Sequence, residues 1–397
     1  MPGFTTTEFV ERISRLREHL ADKQIDLAVL NQSSDLYYYT GSVQPLYLLV
    51  PSAGEPLILA RKAITRIHDE VTHLRSEFFS GTKELLAILE RYGMLSSKRL
   101  GFTLDAASYA TVTRLQRLFA DAEIADLSWD IRMLRIVKSE SEIAVQAGAG
   151  EIMAGIPEIV QSGFRPGITE LELSAVVENY FRLNGHAALI RSRREGIEIS
   201  AFGVLSAGVN SLAGTKFEGI SAGVGTSPAT PYGAGPDPIP EGAPVLLDYG
   251  FNLDGYHVDQ TRMFSWGRPA DEVMKAYEAM LRIQNVIMNE LLPGAAWEDV
   301  YNDAVNLAVQ MGYGETFMGA GTERVRFVGH GVGLELDEPP YLAPGLTDPL
   351  AAGMVLAVEP KVALPGVGVV GIEDTVVIRD HGPERLTTCS RDFIVAG

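Results

Sequence analysis

Cysteine is nearly absent from this chain: Cys389 is the only one in 397 residues. A lone thiol excludes an intramolecular disulfide framework, a cysteine-rich zinc site and a CxxC redox pair, so any metal must sit on His, Asp and Glu. Basic charge is also short. Lys and Arg total 33 against 51 Asp and Glu, a formal net charge of -18, and so acidic a surface repels phosphate backbones and anionic headgroups. Neither nucleic acid nor a membrane is an expected partner. No uninterrupted apolar stretch approaches the roughly 20 residues of a membrane helix, and Met1 to Leu20 has neither the basic start nor the apolar centre of a signal peptide. A cytoplasmic protein is expected. What the chain does have is apolar mass: 46% of its residues are hydrophobic, ample for two to three domains with sizeable cores.

Local patterns divide the chain. Thr5 and Glu8 form a Thr-x-x-Glu box ahead of Phe9, Ile13, Leu16 and Leu20 at helical spacing, so an amphipathic helix is expected over 6–22. The short apolar runs Ile25 to Leu30, Leu46 to Val50 and Leu57 to Ala60 read as strands between turn-rich pieces. A smaller α/β domain is therefore expected over 1–131, with His68 and His73 on a solvated helical face. A second box, Ser139 with Glu142, opens a helix just after the boundary. Residues 132–397 form the larger domain, and they carry a faint internal echo. The segments 166–185 and 293–312 both begin Pro-Gly, end in Gly and hold a helical apolar pattern, which suggests two related halves flanking a cleft.

The chemistry concentrates in that larger domain. In VLLDYGFNLDGYHVDQTRMF an apolar strand carries Asp248, turn residues follow, and a second strand carries Asp259. A turn centred on Leu253 and Asp254 sets Asp248 against Asp259; one centred on Asp254 and Gly255 sets it against Thr261. Both registers put the two acids on one face. Near the C-terminus, strands over 354–359 and 369–378 with a return near Gly366 would set Glu359 opposite Glu373. Between the pairs lies His330, flanked by glycines that clear space around the imidazole. Four carboxylates in apolar settings repel each other and lose hydration, so they need cations. Four acids and one imidazole suit two divalent ions, with oxygen-rich ligation favouring Mn or Co and admitting Zn.

The motifs DYGFNLDGYHVDQTR, GHGVGLELDEPP, VEP and GIEDT resemble those of the pita-bread metallopeptidase superfamily of methionine aminopeptidase, aminopeptidase P, prolidase and creatinase. RLREHLADKQIDLAVL and LYYYTGS are similar to the creatinase/prolidase N-terminal domain. The resemblance implies an α+β fold: a pita-bread catalytic domain behind a smaller α/β creatinase-like domain. It implies that Asp248 chelates one metal, that Asp259 and Glu373 bridge both, and that His330 and Glu359 hold the second. Glu359 would also take a proton from the bridging water. The reaction implied is metal-dependent hydrolysis of a peptide or small amide C–N bond, Xaa-Pro dipeptidase-like, with a dipeptide or small-molecule substrate, in a homodimer.

Two positions depart from the family pattern. Tyr232 stands at or near one substrate-contacting histidine, and Asp337 stands at the other, seven residues after His330. A tyrosine hydroxyl donates a hydrogen bond to developing negative charge, whereas an ionised Asp cannot and would instead attract a substrate amine. These changes keep open a non-peptidase hydrolase or lyase on the same scaffold, and a metal-free binding protein. Arg191, Arg193 and Arg194 offer a guanidinium for a substrate carboxylate, or else ion pairs in an acidic protein. Arg262 is expected to steady a ligand strand, and His257 to sit on the rim of the site.

Overall fold

The computed structural model describes residues 3–119, 122–193, 201–216, 219–220 and 222–397. The chain divides into two compact units. The first runs to Arg135 and takes in Arg193; the second comprises the remainder from Ile136 onward.

The first unit opens with the helix Thr6–Asp22, where Thr5 accepts the Glu8 N–H and Phe9, Ile13, Leu16 and Leu20 are buried. Its sheet contains β1 (Leu27–Leu30), β2 (Tyr47–Pro51), β3 (Leu57–Ala60), β4 (Arg75–Phe78), β5 (Arg99–Phe102) and β6 (Glu123–Asp126), in the order β4-β3-β2-β1-β5-β6. Only β1, β2 and β3 pair antiparallel; the outer pairs are parallel. Strands this short are held by full burial of one face, with Leu27, Val29, Leu49, Leu57, Leu59, Leu100 and Phe102 in a single cluster. One expectation fails here, and one pair of alternatives is decided in favour of ion pairing. His73 lies beyond the helix Ile64–Glu70, stacked on Phe9 at 4.9 Å, and burial lowers its pKa. Arg193 is committed to buried Asp35 at 2.5 Å, alongside Arg135 at 2.7 Å, so it is not available for a substrate carboxylate. Arg194 lies outside the described residues.

The second unit is built on two antiparallel systems. The longer hairpin is β8 (Val245–Leu253) and β9 (Tyr256–Trp266), flanked by β7 (Gly203–Ala207) and by β17 (Ile394–Ala396), which runs parallel to β9. The other system holds β10 (Gly329–Gly331), β11 (Glu338–Tyr341), β12 (Val355–Val358), β15 (Asp374–Arg379) and β16 (Gly382–Arg385) in the order β11-β10-β12-β15-β16. A two-stranded piece, β13 (Lys361–Leu364) with β14 (Gly368–Gly371), continues the β12–β15 pairing. The two systems are joined at Thr375, whose Oγ1 donates to Asp259 O and accepts from Asp259 N, both at 2.8 Å.

Helices cover the outer face of the long hairpin. Glu140–Met153 starts in the Ser139/Glu142 capping box, with both reciprocal bonds formed. By length and composition alone the stretch Glu140–Gly163 is long and apolar enough to cross a membrane, against expectation. Here, however, Ala149, Met153, Ile156 and Val160 pack in one core with Val245, Leu247, Phe251 and Phe264. The echoed segments both form 14-residue helices, Glu170–Leu183 and Trp297–Gln310. Each is preceded by a matching contact: Thr169 bridges Pro238, and Ala296 bridges Pro349.

Candidate metal centre

The site is set by register. β8 and β9 pair with Asp248 opposite Thr261, the register of an Asp254–Gly255 turn, and both turn residues have positive φ. Asp248 and Asp259 are thus diagonal neighbours on one face. On the other hairpin, Val358 faces Asp374 and Lys361 faces Gly371, which leaves Glu359 opposite Glu373. The expected single strand over 369–378 is broken here. Pro360 has no N–H to give the ladder, so the pairing loosens to a single bond from Ile372 N to Pro360 O at 3.3 Å, and the two glutamates occupy the loosened stretch.

His330 comes from β10, paired to β12 through Ala357. Its glycine neighbours do not clear room for the ring as expected. A Cβ on Gly331 would lie 2.2 Å from Pro339 O, so the glycine permits β11 to approach β10.

All five expected ligands converge. Donor atoms of Asp259, His330 and Glu373 lie within 4.8 Å of one another, as do those of Asp248, Glu359 and Glu373. Glu373 belongs to both triads. Asp259, His330, Glu359 and Glu373 are buried and Asp248 is half-buried. His330 Nε2 stands 3.5 Å from Glu359 Oε1. A cavity of about 90 Å³ opens onto the five, with Asp337, Phe327 and Leu336 in its wall. Tyr232 is not among the residues lining this cavity.

One participant escaped the sequence reading. Lys361 is 1% exposed, and its Nζ donates to Glu359 Oε2 at 2.6 Å, Asp248 Oδ2 at 2.9 Å and Glu373 Oε2 at 3.1 Å. Those are the three carboxylates of the second triad. The sequence hides it: Lys361 shares the face of Glu359, two residues before it, only if the strand runs on through Pro360.

The electrostatics follow from burial. Desolvation, then the charge of Asp248, raises the pKa of Asp259; desolvation, then Asp259, raises that of Glu373 well above the carboxylate range. Burial alone would lower the pKa of Lys361, but Asp248, Glu359 and Glu373 outweigh it and hold the ammonium charged. Burial likewise opposes protonation of His330, and the charges of Asp337, Glu359 and Asp259 overcome it.

Arg262 is fully buried; its guanidinium pairs with Asp374 at 2.6 Å and donates to Glu373 O at 2.7 Å and Ser390 O at 2.7 Å. It therefore fixes the backbone of a donor residue. Thr261 Oγ1 donates to Glu373 Oε2 at 2.7 Å and fixes its carboxylate. His257 is fully buried rather than on a rim: its Nδ1 stands 2.9 Å from Gly333 O, and desolvation lowers its pKa to about 4. Cys389 is buried against Arg262, and desolvation raises its pKa, the reverse of what a nucleophile needs.

Comparison with known proteins accords with this geometry. The model of metallopeptidase family M24 matches residues 145–380, and that of the Creatinase/Prolidase N-terminal domain matches 12–137. An Xaa-Pro dipeptidase of Pyrococcus horikoshii is 28% identical, covering 97% of this chain and 99% of its own. Among solved structures, the prolidase from Pyrococcus horikoshii superposes with a TM-score of 0.80 at 26% identity, over 97% of this chain and 100% of that one. An Xaa-Pro dipeptidase from Bacillus anthracis gives 0.81 at 25% identity, over 98% and 99%.

Proposed function

We propose a function from one premise: the chain belongs to metallopeptidase family M24, with a Creatinase/Prolidase N-terminal domain ahead of an α+β pita-bread catalytic domain. It is a metallohydrolase. Within that class, the reading best supported is hydrolysis of the C–N bond of a dipeptide or small amide at Asp248, Asp259, His330, Glu359 and Glu373. The observation that carries it is the convergence of these five donors, from strands β8, β9 and β10 and from the β12–β13 and β14–β15 junctions, on one small cavity.

The donor chemistry fits a divalent cation. Asp259, His330 and Glu373 offer two carboxylates and an imidazole in a buried setting, and Thr261 and Arg262 hold Glu373 in place. Manganese or cobalt suits that mixture, and zinc is compatible with it. A metal bound there would lower the pKa of a water and polarise the scissile carbonyl. Glu359, on the cavity wall with one oxygen toward His330, would accept the proton released. Asp337, on the same wall, would hold the substrate's ammonium group. Five donors in two overlapping triads are the donor set of a two-ion centre, but the second triad already holds a cation, the Lys361 ammonium.

The relatives named Xaa-Pro dipeptidase support a dipeptide substrate for this chain. With Tyr232 outside the cavity and Asp337 inside it, we expect slow turnover of Xaa-Pro dipeptides and faster turnover of another small amide with a free amine. A cytoplasmic homodimer with a domain boundary near residue 131 completes the proposal.

The test is elemental analysis of purified protein beside Asp259→Ala and Glu373→Ala, with mass detection of products from a dipeptide and N-acyl amino acid panel. Both variants should lose metal and at least a hundredfold in activity, as expected for removing a group essential to metal catalysis. Undiminished metal content in both would sink the assignment.

A further inference from the structure

We infer that Lys361 is a resident cation that takes the place of one of the two metal ions, so that the catalytic centre loads a single divalent ion per chain. This rests on the metallohydrolase reading above and adds its stoichiometry and the residue that sets it.

Four observations carry it. First, the ammonium contacts all three carboxylates of one triad, at 2.6, 2.9 and 3.1 Å, and none of the contacts is with an acid outside the centre. Second, the donor atoms of that triad lie within 4.8 Å of one another, a cage with room for one cation. A divalent ion bonds to carboxylate oxygens at roughly 2.0–2.2 Å, so it would have to displace the ammonium from the same oxygens or stand against its charge. Third, Lys361 has nowhere else to go. It is 1% exposed, its carbonyl accepts from Met318 N at 2.9 Å, and its strand pairing fixes the side chain on the face of Glu359. Fourth, the partner strand is shaped for it. Gly371 lies directly opposite, and a Cβ there would come within 2.3 Å of Lys361 Cγ. The glycine provides the channel for the lysine stem.

The remaining triad, Asp259, His330 and Glu373, does not touch Lys361 except through Glu373 Oε2. It keeps one imidazole and two carboxylates for the single ion. Lysine then has a definite role: it compensates the acids that a second metal would otherwise neutralise, so the apo centre is not four bare carboxylates. The protein should consequently fold without metal.

The experiment is Mn²⁺ titration of the full-length apoprotein, read by native mass spectrometry, calorimetry and electron paramagnetic resonance. Wild type should bind one ion per chain, with the spectrum of isolated Mn²⁺. Lys361→Met, which keeps length and removes charge, should bind two and show the exchange-coupled spectrum of a close pair. Lys361→Gln serves as a second uncharged variant. Two ions in wild type overturn the inference and leave the metallohydrolase reading standing. No ion in wild type overturns that reading and the inference with it. A single ion in a folded Lys361→Met or Lys361→Gln also overturns the inference, because the lysine would then not be what excludes the second. Should neither variant fold, the wild-type count still decides.

Discussion

The side chain most exposed to selection by substrate is Asp337. It occupies a wall of the cavity and acts electrostatically on His330, so its carboxylate is within reach of whatever the metal holds. A charge that contacts the substrate amine equally in the bound and transition states contributes to binding without changing the chemical step. Asp337→Asn should therefore raise KM for amine-bearing substrates about tenfold, on the order of 1.4 kcal/mol, while kcat changes little. N-acylated analogues, which lack the ammonium, should be indifferent to the substitution. Steady-state kinetics on matched free-amine and acylated substrates reads this, with metal content measured in parallel because His330 is close. Equal losses on both substrates would mean that Asp337 acts through the metal instead. Tyr232 was legible only as a motif position, because a loop tyrosine is placed by backbone path and motif spacing says little about that.

At the level of elements, the internal echo makes a quantitative prediction. The helix Glu170–Leu183 is capped by Thr169, which accepts from Glu172 N while Glu172 reaches back to Thr169 N. Its counterpart Trp297–Gln310 has Ala296 at the same position, with no side-chain cap and with Asp299 where the box needs an acid. Ala296→Ser offers the Asp299 N–H, which otherwise reaches only Ala296 O at 3.1 Å, a side-chain acceptor. It should stabilise the protein by about 0.5–1 kcal/mol, seen as a shift in denaturant midpoint at unchanged slope. Destabilisation would show that the half-exposed turn cannot admit the hydroxyl. The same elements show what the sequence could and could not disclose. The Thr5-to-Leu20 pattern located its helix because periodicity and cap are both local. The Asp248–Asp259 face was legible because both candidate registers share parity, whereas the choice between them depended on the turn conformation. Glu359 and Glu373 were brought together by a loop centre alone. The break of the second strand at Ile372 and Glu373, opposite Pro360, and the inward-facing lysine were hidden: a strand expected to end at Pro360 leaves Lys361 in the return loop, facing water. Only the cross-strand relation of Lys361 to Gly371 marks it as buried, and that relation is long-range.

For the whole molecule, acidity sets the direction in which stability changes with pH. The chain carries a net charge of -18 near neutrality, so moderate acidification reduces self-repulsion and would by itself stabilise the fold. His186 opposes this. It is buried and stacked on Phe181, with Nδ1 accepting the Ala188 N–H at 2.8 Å and Nε2 3.1 Å from Gly250 O. That arrangement requires the neutral ring, and desolvation first, then nearby Arg182, lowers its pKa to about 4. In the unfolded chain the same imidazole titrates near 6.5. Between those values the unfolded state binds a proton that the native state does not, so the contribution is complete above about pH 6.5 and is lost as pH falls toward 4. From pH 7 to pH 5 the cost is about 2 kcal/mol for this residue. His186→Gln should be less stable than wild type at pH 7, because the ring also packs, yet it should lose about 2 kcal/mol less on going to pH 5. Denaturant unfolding of both proteins at the two pH values, with chelator present so that metal release does not contribute, measures that difference. Parallel losses in wild type and variant would place the acid sensitivity elsewhere in the fold.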